Sequence, residues 1–142
     1  MAIKRREFIR SACNICLLGT AGMLTARLAG CSPAYPVFKT EAVGNKLTIP
    51  LSLFAQSPLQ VIRPKGMYSD IAVQKKEDNT YTALLLLCTH QQNQLTITGN
   101  GYVCNLHGSE YSKTGEVKHG PAEKPLKHFN ITISGNDLII QL

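Results

Sequence analysis

Residues 84–111 read LLLLCTHQQNQLTITGNGYVCNLHGSEY and contain two closely spaced Cys/His pairs. One residue separates Cys88 from His90, and two residues separate Cys104 from His107. Thiolate and imidazole are the usual protein ligands of zinc and of several iron sites. A short polar, β-prone segment joins the two pairs, so both pairs can reach one centre. The sequence therefore predicts a metal site built from two loops.

The spacing of these ligands argues against a zinc finger. Structural zinc sites usually keep at least two residues between paired ligands and place two cysteines before two histidines. Here one residue separates the first pair, and the order alternates Cys, His, Cys, His. The set favours a [2Fe-2S] cluster in which one iron takes two thiolates and the other takes two imidazoles. A structural zinc site is kept as the alternative.

The residues after position 46 favour β-strands. β-branched and aromatic residues recur between turn signals, and residues 77–79 and 134–137 each predict a hairpin. Residues 84–87 are four consecutive leucines, so this strand is expected to be buried on both faces as it delivers Cys88 to the site. No amphipathic helix is evident after residue 31. The predicted fold class is all-β.

An ordered set of short motifs resembles the Rieske iron–sulfur domain over about residues 81–142. The set consists of CTH at 88–90, CNLHGSEY at 104–111, Gly115, GPA at 120–122 and PL at 125–126. The resemblance implies a Rieske-type antiparallel β sandwich with a small cluster-binding subdomain, whose loops span about residues 88–125. It also implies that Cys88 and Cys104 bind the inner iron, and that His90 and His107 bind the outer iron at an exposed tip.

The resemblance further assigns roles to two hydroxyl groups. Ser109 and Tyr111 match positions whose hydroxyls, in high-potential members, donate hydrogen bonds to a bridging sulfide and to a cysteine sulfur. Such donors stabilise added negative charge and raise the reduction potential. High-potential members also join the two loops by a disulfide, whereas Asn93 or its neighbours and Leu106 stand at those positions here. In this respect the chain resembles Rieske-type ferredoxins, and we expect a potential below that of quinol-oxidising members.

The first 30 residues resemble an export signal. Arg5 and Arg6, followed by a Phe-Ile pair, resemble a twin-arginine signal, which suits a protein that receives its cluster before export. The uncharged stretch 11–26 has 16 residues, fewer than the about 20 that a membrane span needs. Residues 28–31, Leu-Ala-Gly-Cys, resemble a lipobox, so we expect cleavage before Cys31 and acylation of its sulfur. An ordinary secretory signal is the alternative to the twin-arginine signal.

This reading divides the chain into a signal (1–30), a tether (31–45) and a Rieske domain (46–142). The formal net charge is +6, but the first 30 residues carry +4 of it, which leaves +2 for the mature chain. No basic stripe interleaved with aromatic residues survives removal of the signal, so nucleic acid is not expected as a partner.

The sequence thus predicts an exported one-electron carrier with one [2Fe-2S] cluster, lipid-anchored on the periplasmic side of a bacterial membrane. Its partner is expected to be a redox protein, either haem- or quinone-linked. Whether the chain takes part in an enzyme is left open, because no acid–base or nucleophile constellation is evident and any oxidoreductase activity would need a partner. Two alternatives are kept: the iron–sulfur subunit of a quinol-oxidising complex, and a noncatalytic Rieske-like subunit whose site is empty or holds zinc.

Overall fold

The structure is a computed structural model that describes residues 35–142. The predicted signal (1–30) and the predicted lipidation site at Cys31 lie outside the described residues. The described elements, in chain order, are β1 (Val37–Thr40), β2 (Lys46–Pro50), a 3-10 helix (Leu51–Ala55), β3 (Leu59–Pro64), β4 (Ile71–Lys75), β5 (Tyr81–Leu85), β6 (Thr96–Thr98), β7 (Gly101–Val103), β8 (Glu110–Tyr111), β9 (Val117–His119), β10 (His128–Ser134) and β11 (Asp137–Gln141).

Seven of these strands form the larger sheet, in the order β1-β3-β4-β5-β10-β11-β2. β1 pairs with β3 in parallel, and every other neighbouring pair in this sheet is antiparallel. The two edge strands, β1 and β2, lie close to each other, so the sheet is nearly closed. The prediction of an all-β fold is confirmed.

The other four strands form a small antiparallel sheet, in the order β6-β7-β8-β9. Three loops lie at its boundaries: residues 86–95 between β5 and β6, residues 104–109 between β7 and β8, and residues 120–127 between β9 and β10. We call them the first, second and third loops. The predicted small subdomain is confirmed, while the binding of a cluster by its loops stays a prediction.

β5 connects the two sheets because its two faces pack into different hydrophobic cores. Ala83 and Leu85 contact the core of the large sheet. Leu84 and Leu86, each 1% exposed, belong to a second core that includes both predicted cysteine ligands. Full burial of one leucine side chain contributes roughly 1.5–3 kcal/mol. The leucine run therefore contacts a core on each face, but its burial is less complete than predicted, because Leu85 and Leu87 are only half-buried.

The structure differs from the sequence expectations at two places. Residues 37–40, which were expected in the tether, form β1 at the edge of the large sheet. Residues 51–54 lie in the region whose composition favours strands, but they belong to a 3-10 helix instead. The partner strand β11 begins at Asp137 opposite Pro50, so the residues after Pro50 have no strand to pair with.

Both predicted hairpins are confirmed. β4 and β5 pair across residues 76–80, where Asn79 has a φ of 59°. β10 and β11 pair from Ser134 and Asp137 outward, with Gly135 at a φ of 59° in the turn. Within residues 35–142, no helix has both the length and the apolar character needed to cross a membrane.

Gly101 allows β7 and β8 to lie close together, and we expect its substitution to be costly. Its φ is 144°, and a Cβ at this position would overlap the backbone carbonyl oxygen of Tyr111. Overpacking and backbone strain of this kind each cost about 1–3 kcal/mol, so Gly101→Ala should lower the free energy of unfolding by about 2–3 kcal/mol or more. Urea denaturation measures this loss.

Gly99→Ala provides the matched control. A Cβ at Gly99 would have no heavy atom within 4 Å, so this variant should unfold within about 0.5 kcal/mol of the wild type. Equal stability of the two variants would contradict the close approach of β7 and β8.

Candidate metal centre

The first loop presents Cys88 and His90 from a six-residue turn. The Cys88 backbone N–H donates to the Asn93 carbonyl at 2.8 Å, and the Gln92 N–H donates to the Cys88 carbonyl at 2.8 Å. Gln92 has a φ of 45°, an uncommon value for a residue with a side chain. These hydrogen bonds fix the backbone around the first Cys/His pair without help from a bound metal.

The second loop repeats this backbone pattern around Cys104. The Cys104 N–H donates to the Ser109 carbonyl at 2.8 Å, and the Gly108 N–H donates to the Cys104 carbonyl at 2.9 Å. Gly108 has a φ of 78°, at the position equivalent to Gln92. The two loops therefore close at the same spacing from their cysteines, although their Cys–His spacings differ. The Cys–His spacings alone do not reveal this similarity, because they differ between the two loops.

The structure brings the four predicted ligands together, with the two cysteines buried and the two histidines exposed. Cys88 and Cys104 are each 1% exposed, and both are free cysteines. His90 and His107 are exposed, and their ring centroids lie 5.1 Å apart at an interplanar angle of 75°. The loops thus hold two sulfurs in the apolar interior and two imidazoles at the surface.

This donor set fits a two-iron cluster better than a single ion. A zinc ion needs four donors converging on one point, whereas a Rieske-type [2Fe-2S] cluster needs two donors for each iron. The separation of the buried sulfurs from the exposed imidazoles meets the second requirement.

The Tyr111 hydroxyl lies at the junction of the first and third loops. Its oxygen is 3.5 Å from the Cys88 sulfur, accepts from the Thr89 N–H at 3.1 Å, and lies 3.0 Å from the Thr89 hydroxyl oxygen. The Thr89 hydroxyl donates to the Lys124 carbonyl at 2.7 Å. Since the Thr89 hydrogen is used there, the single Tyr111 hydrogen has two acceptors, Cys88 Sγ and Thr89 Oγ1. Sequence reasoning selected Tyr111 but missed Thr89 and Lys124, because nothing local signals a contact to the third loop.

These contacts favour the thiolate form of Cys88. Burial raises the pKa of the Cys88 thiol, but hydrogen bonds from the Tyr111 hydroxyl and from the backbone amides of His90 and Gln91 outweigh it, so the pKa lies below its usual value. Burial also raises the pKa of Tyr111, and its bond to Cys88 adds to that effect. The thiolate is the metal-binding form of cysteine. Tyr111 is therefore a neutral donor beside a sulfur that is prepared to bind metal.

Ser109, the other predicted hydroxyl, is fully buried and ties the second loop to the third. Its oxygen accepts from the Ala122 N–H at 3.1 Å, which is its only side-chain hydrogen bond within residues 35–142. The hydroxyl hydrogen is thus left to donate, and a buried donor without an acceptor costs about 1–3 kcal/mol. A bound cluster would supply a sulfide acceptor of the kind this position needs.

Two further histidines, His119 and His128, belong to neither of the first two loops. His119 ends β9 and His128 begins β10, and both are exposed. The two positions at which high-potential members carry the disulfide also differ from each other in environment. Asn93 is half-buried beside Cys104, whereas Leu106 is 55% exposed.

The all-β fold, the two free buried cysteines and the paired surface histidines define an iron–sulfur protein of the two-iron kind. Residues 38–130 match the model of the family described as the Rieske [2Fe-2S] domain. The chain belongs to this family, and its cofactor is a [2Fe-2S] cluster. The residues around the site fit that cofactor, as the donor set and the Ser109 hydroxyl indicate.

Two curated relatives are cytochrome b6-f complex iron-sulfur subunits. The subunit from Chlorobaculum thiosulfatiphilum is 38% identical over 61 residues, covering 42% of this chain and 34% of its own length. The subunit from Synechococcus elongatus is 26% identical over 105 residues, covering 70% of this chain and 58% of its own length. The chain therefore spans between about a third and three fifths of the length of these relatives.

A solved structure shows the same fold. The plasma membrane Rieske protein PetC3 from Synechocystis PCC 6803 superposes with a TM-score of 0.57 at 21% identity, covering 68% of this chain and 99% of that one.

We expect Tyr111→Phe to raise the pKa of the Cys88 thiol in the cluster-free protein, because it removes a donor that stabilises the thiolate. The rate of Cys88 alkylation at a fixed pH should then fall, since the thiolate is the nucleophile. Peptide-resolved mass spectrometry of alkylated protein across pH measures this change.

Tyr102→Phe is the matched control for this substitution. Tyr102 is the cross-strand neighbour of Tyr111, but it borders a cavity with Tyr35 and Lys113. An unchanged Cys88 profile in Tyr111→Phe, or an equal change in Tyr102→Phe, would contradict the assigned contact.

Proposed function

We propose that Cys88 and Cys104 bind one iron of the cluster and that His90 and His107 bind the other. The observation that carries this proposal is the difference in burial: both cysteines are 1% exposed, whereas both histidines lie at the surface. The matching closure of the two loops supports it, because each loop then contributes one thiolate and one imidazole from an equivalent backbone frame. The free state of both cysteines keeps their sulfurs available for metal.

The proposed function is one-electron transfer through the histidine tip. A bound [2Fe-2S] cluster accepts and releases one electron at a time. Cys88 and Cys104 lie beneath apolar side chains, so His90 and His107 form the shortest route between the centre and solvent. A redox partner therefore docks over these two rings, beside the exposed side chain of Leu106.

We further propose that the protein works outside the cytoplasm, anchored to a bacterial membrane by a lipid on Cys31. The twin-arginine and lipobox patterns of residues 5–31 support this assignment. Since β1 begins at Val37, the residues between Cys31 and the sheet span at most roughly 20 Å when extended. A tether of that length keeps the domain near the bilayer, where haem- or quinone-linked redox proteins are accessible.

A second candidate is the iron–sulfur subunit of a quinol-oxidising complex. The similarity to two cytochrome b6-f complex iron-sulfur subunits favours it. The Asn93 and Leu106 side chains at the expected disulfide positions favour the simpler carrier. Purification in mild detergent separates the two functions: copurification with a cytochrome b supports the complex, and a monodisperse single chain supports the carrier.

The ligand assignment predicts that His107→Ala loses the cluster. Even groups that only support a metal ligand are worth 10–100-fold in affinity, so removal of a direct ligand should lower the iron content by at least about tenfold. Iron and sulfide analysis, together with the visible absorption of the oxidised protein, measures this loss. His119→Ala is the control, because His119 is an exposed histidine on β9 outside the first two loops. Full iron content in His107→Ala would exclude His107 as a ligand.

The anchoring proposal predicts that Cys31→Ser moves the protein from the detergent phase to the aqueous phase in a Triton X-114 partition. The substitution removes the sulfur that would carry the lipid, whereas the neighbouring Ser32→Ala should partition like the wild type. Wild-type protein in the aqueous phase would contradict a lipid anchor at this position.

A further inference from the structure

The side chain of Asn93 links the first loop to the sulfur of the second. Its amide nitrogen lies 3.9 Å from Cys104 Sγ and 3.2 Å from the Gln94 carbonyl oxygen. An amide nitrogen carries two hydrogens, so it can serve both acceptors. The backbone carbonyl of Asn93 accepts from the Cys88 N–H at 2.8 Å. One residue thus contacts both cysteines of the site, one through its backbone and the other through its side chain.

The orientation of the Asn93 amide follows from its neighbours. The carbonyl oxygen of Gln94 can only accept, so the side-chain nitrogen rather than the oxygen of Asn93 must face it. The same nitrogen is the atom nearest to Cys104 Sγ. A sulfur atom has a large radius, and a donor distance of 3.9 Å to it is long but within hydrogen-bonding range. The geometry therefore directs a donor, not an acceptor, toward the sulfur.

The donors to the two sulfurs cross between the loops. Tyr111, which follows the second loop, reaches Cys88 in the first loop. Asn93, at the end of the first loop, reaches Cys104 in the second loop. The two cysteines are free, so no covalent bond between them holds the loops together. The Tyr111–Cys88 and Asn93–Cys104 contacts therefore connect the two loops noncovalently.

We infer that Asn93 is a positioning residue for the cluster: its amide donates to the Cys104 sulfur, holds the two loops in register and raises the reduction potential. The inference rests on the proposed binding of iron by Cys104. A donor to a ligand sulfur stabilises the negative charge that arrives with an added electron, so its loss makes reduction less favourable.

The test compares substitutions of Asn93 in the full-length, cluster-loaded protein by potentiometric titration. Asn93→Ala removes the donor, and we expect the reduction equilibrium constant to fall about tenfold, which is 59 mV for a one-electron couple. Asn93→Asp keeps the shape but places a negative acceptor beside the sulfur, so its potential should fall further. Resonance Raman spectra give a second readout: the Fe–Sγ stretching frequencies should rise in Asn93→Ala, because the donor no longer withdraws electron density from the sulfur.

Asn105→Ala is the matched control. Asn105 lies in the second loop next to Cys104, but its amide donates to the Thr96 hydroxyl at 2.9 Å. The reduction potential and the Fe–Sγ stretching frequencies of the Asn105→Ala protein should equal those of the wild type. An Asn93→Ala protein that matches Asn105→Ala in both measurements would overturn the inference.

If Asn93→Ala fails to assemble the cluster, its potential cannot be measured. Asn93→Gln then provides the test, because it keeps the amide donor on a longer side chain. Cluster retention in Asn93→Gln, with loss in Asn93→Ala, supports the inference; loss from a folded Asn93→Gln overturns it. A wild-type protein that binds no iron and sulfide would overturn both the ligand assignment and the role of Asn93. A loaded wild type with an unchanged Asn93→Ala potential would overturn the role of Asn93 alone.

Discussion

Burial of the two cysteines in the second hydrophobic core is the constraint on which the site depends. Cys88 continues from the leucines of β5, whose two faces pack into different cores, and Cys104 follows the end of β7, whose Tyr102 packs in the same core as both cysteines. Their histidines lie only two and three residues further on, yet both are exposed. Such a short distance between interior and surface is possible because each loop turns back at once, closed by the N–H of its cysteine.

Most hydroxyl hydrogens around the two sulfurs already have a hydrogen-bond acceptor. Tyr111 has one hydrogen for two acceptors, because the Thr89 hydroxyl is committed to the Lys124 carbonyl. Ser109 accepts from the third loop through Ala122 and keeps its own hydrogen. The third loop fixes the Thr89 and Ser109 hydroxyls through its backbone, and its Ala122 and Leu126 side chains pack in the same core as the two cysteines.

The sequence was sufficient for the features that depend on local patterns. The all-β class, the hairpins at residues 77–79 and 134–137 and the double-sided burial of β5 follow from residue type and spacing. Features set by distant partners were not accessible. β1 became a strand because the edge of β3 was free to pair with it, and residues 51–54 left the sheet because β11 begins opposite Pro50.

The site shows the same division between local and distant information. The Cys/His pairs could be selected from spacing alone, and the structure brings them together, while their assignment to individual irons stays a prediction. The contacts of Thr89 with Lys124 and of Asn93 with Cys104 join residues 35 and 11 positions apart in the chain, and no motif encodes them. The signal and the lipid anchor also stay predictions, since residues 1–34 lie outside the described part of the chain.

The central claim is that two histidines and two cysteines share one two-iron cluster. Pulsed EPR of the dithionite-reduced protein, grown with ¹⁵N-histidine, tests it most directly, because nitrogen bound to iron gives strong hyperfine couplings. Two strongly coupled histidine nitrogens per cluster are expected, and one should disappear if a variant of either His90 or His107 still retains its cluster. A colourless protein with stoichiometric zinc, or a cluster without coupled histidine nitrogen, would contradict the claim.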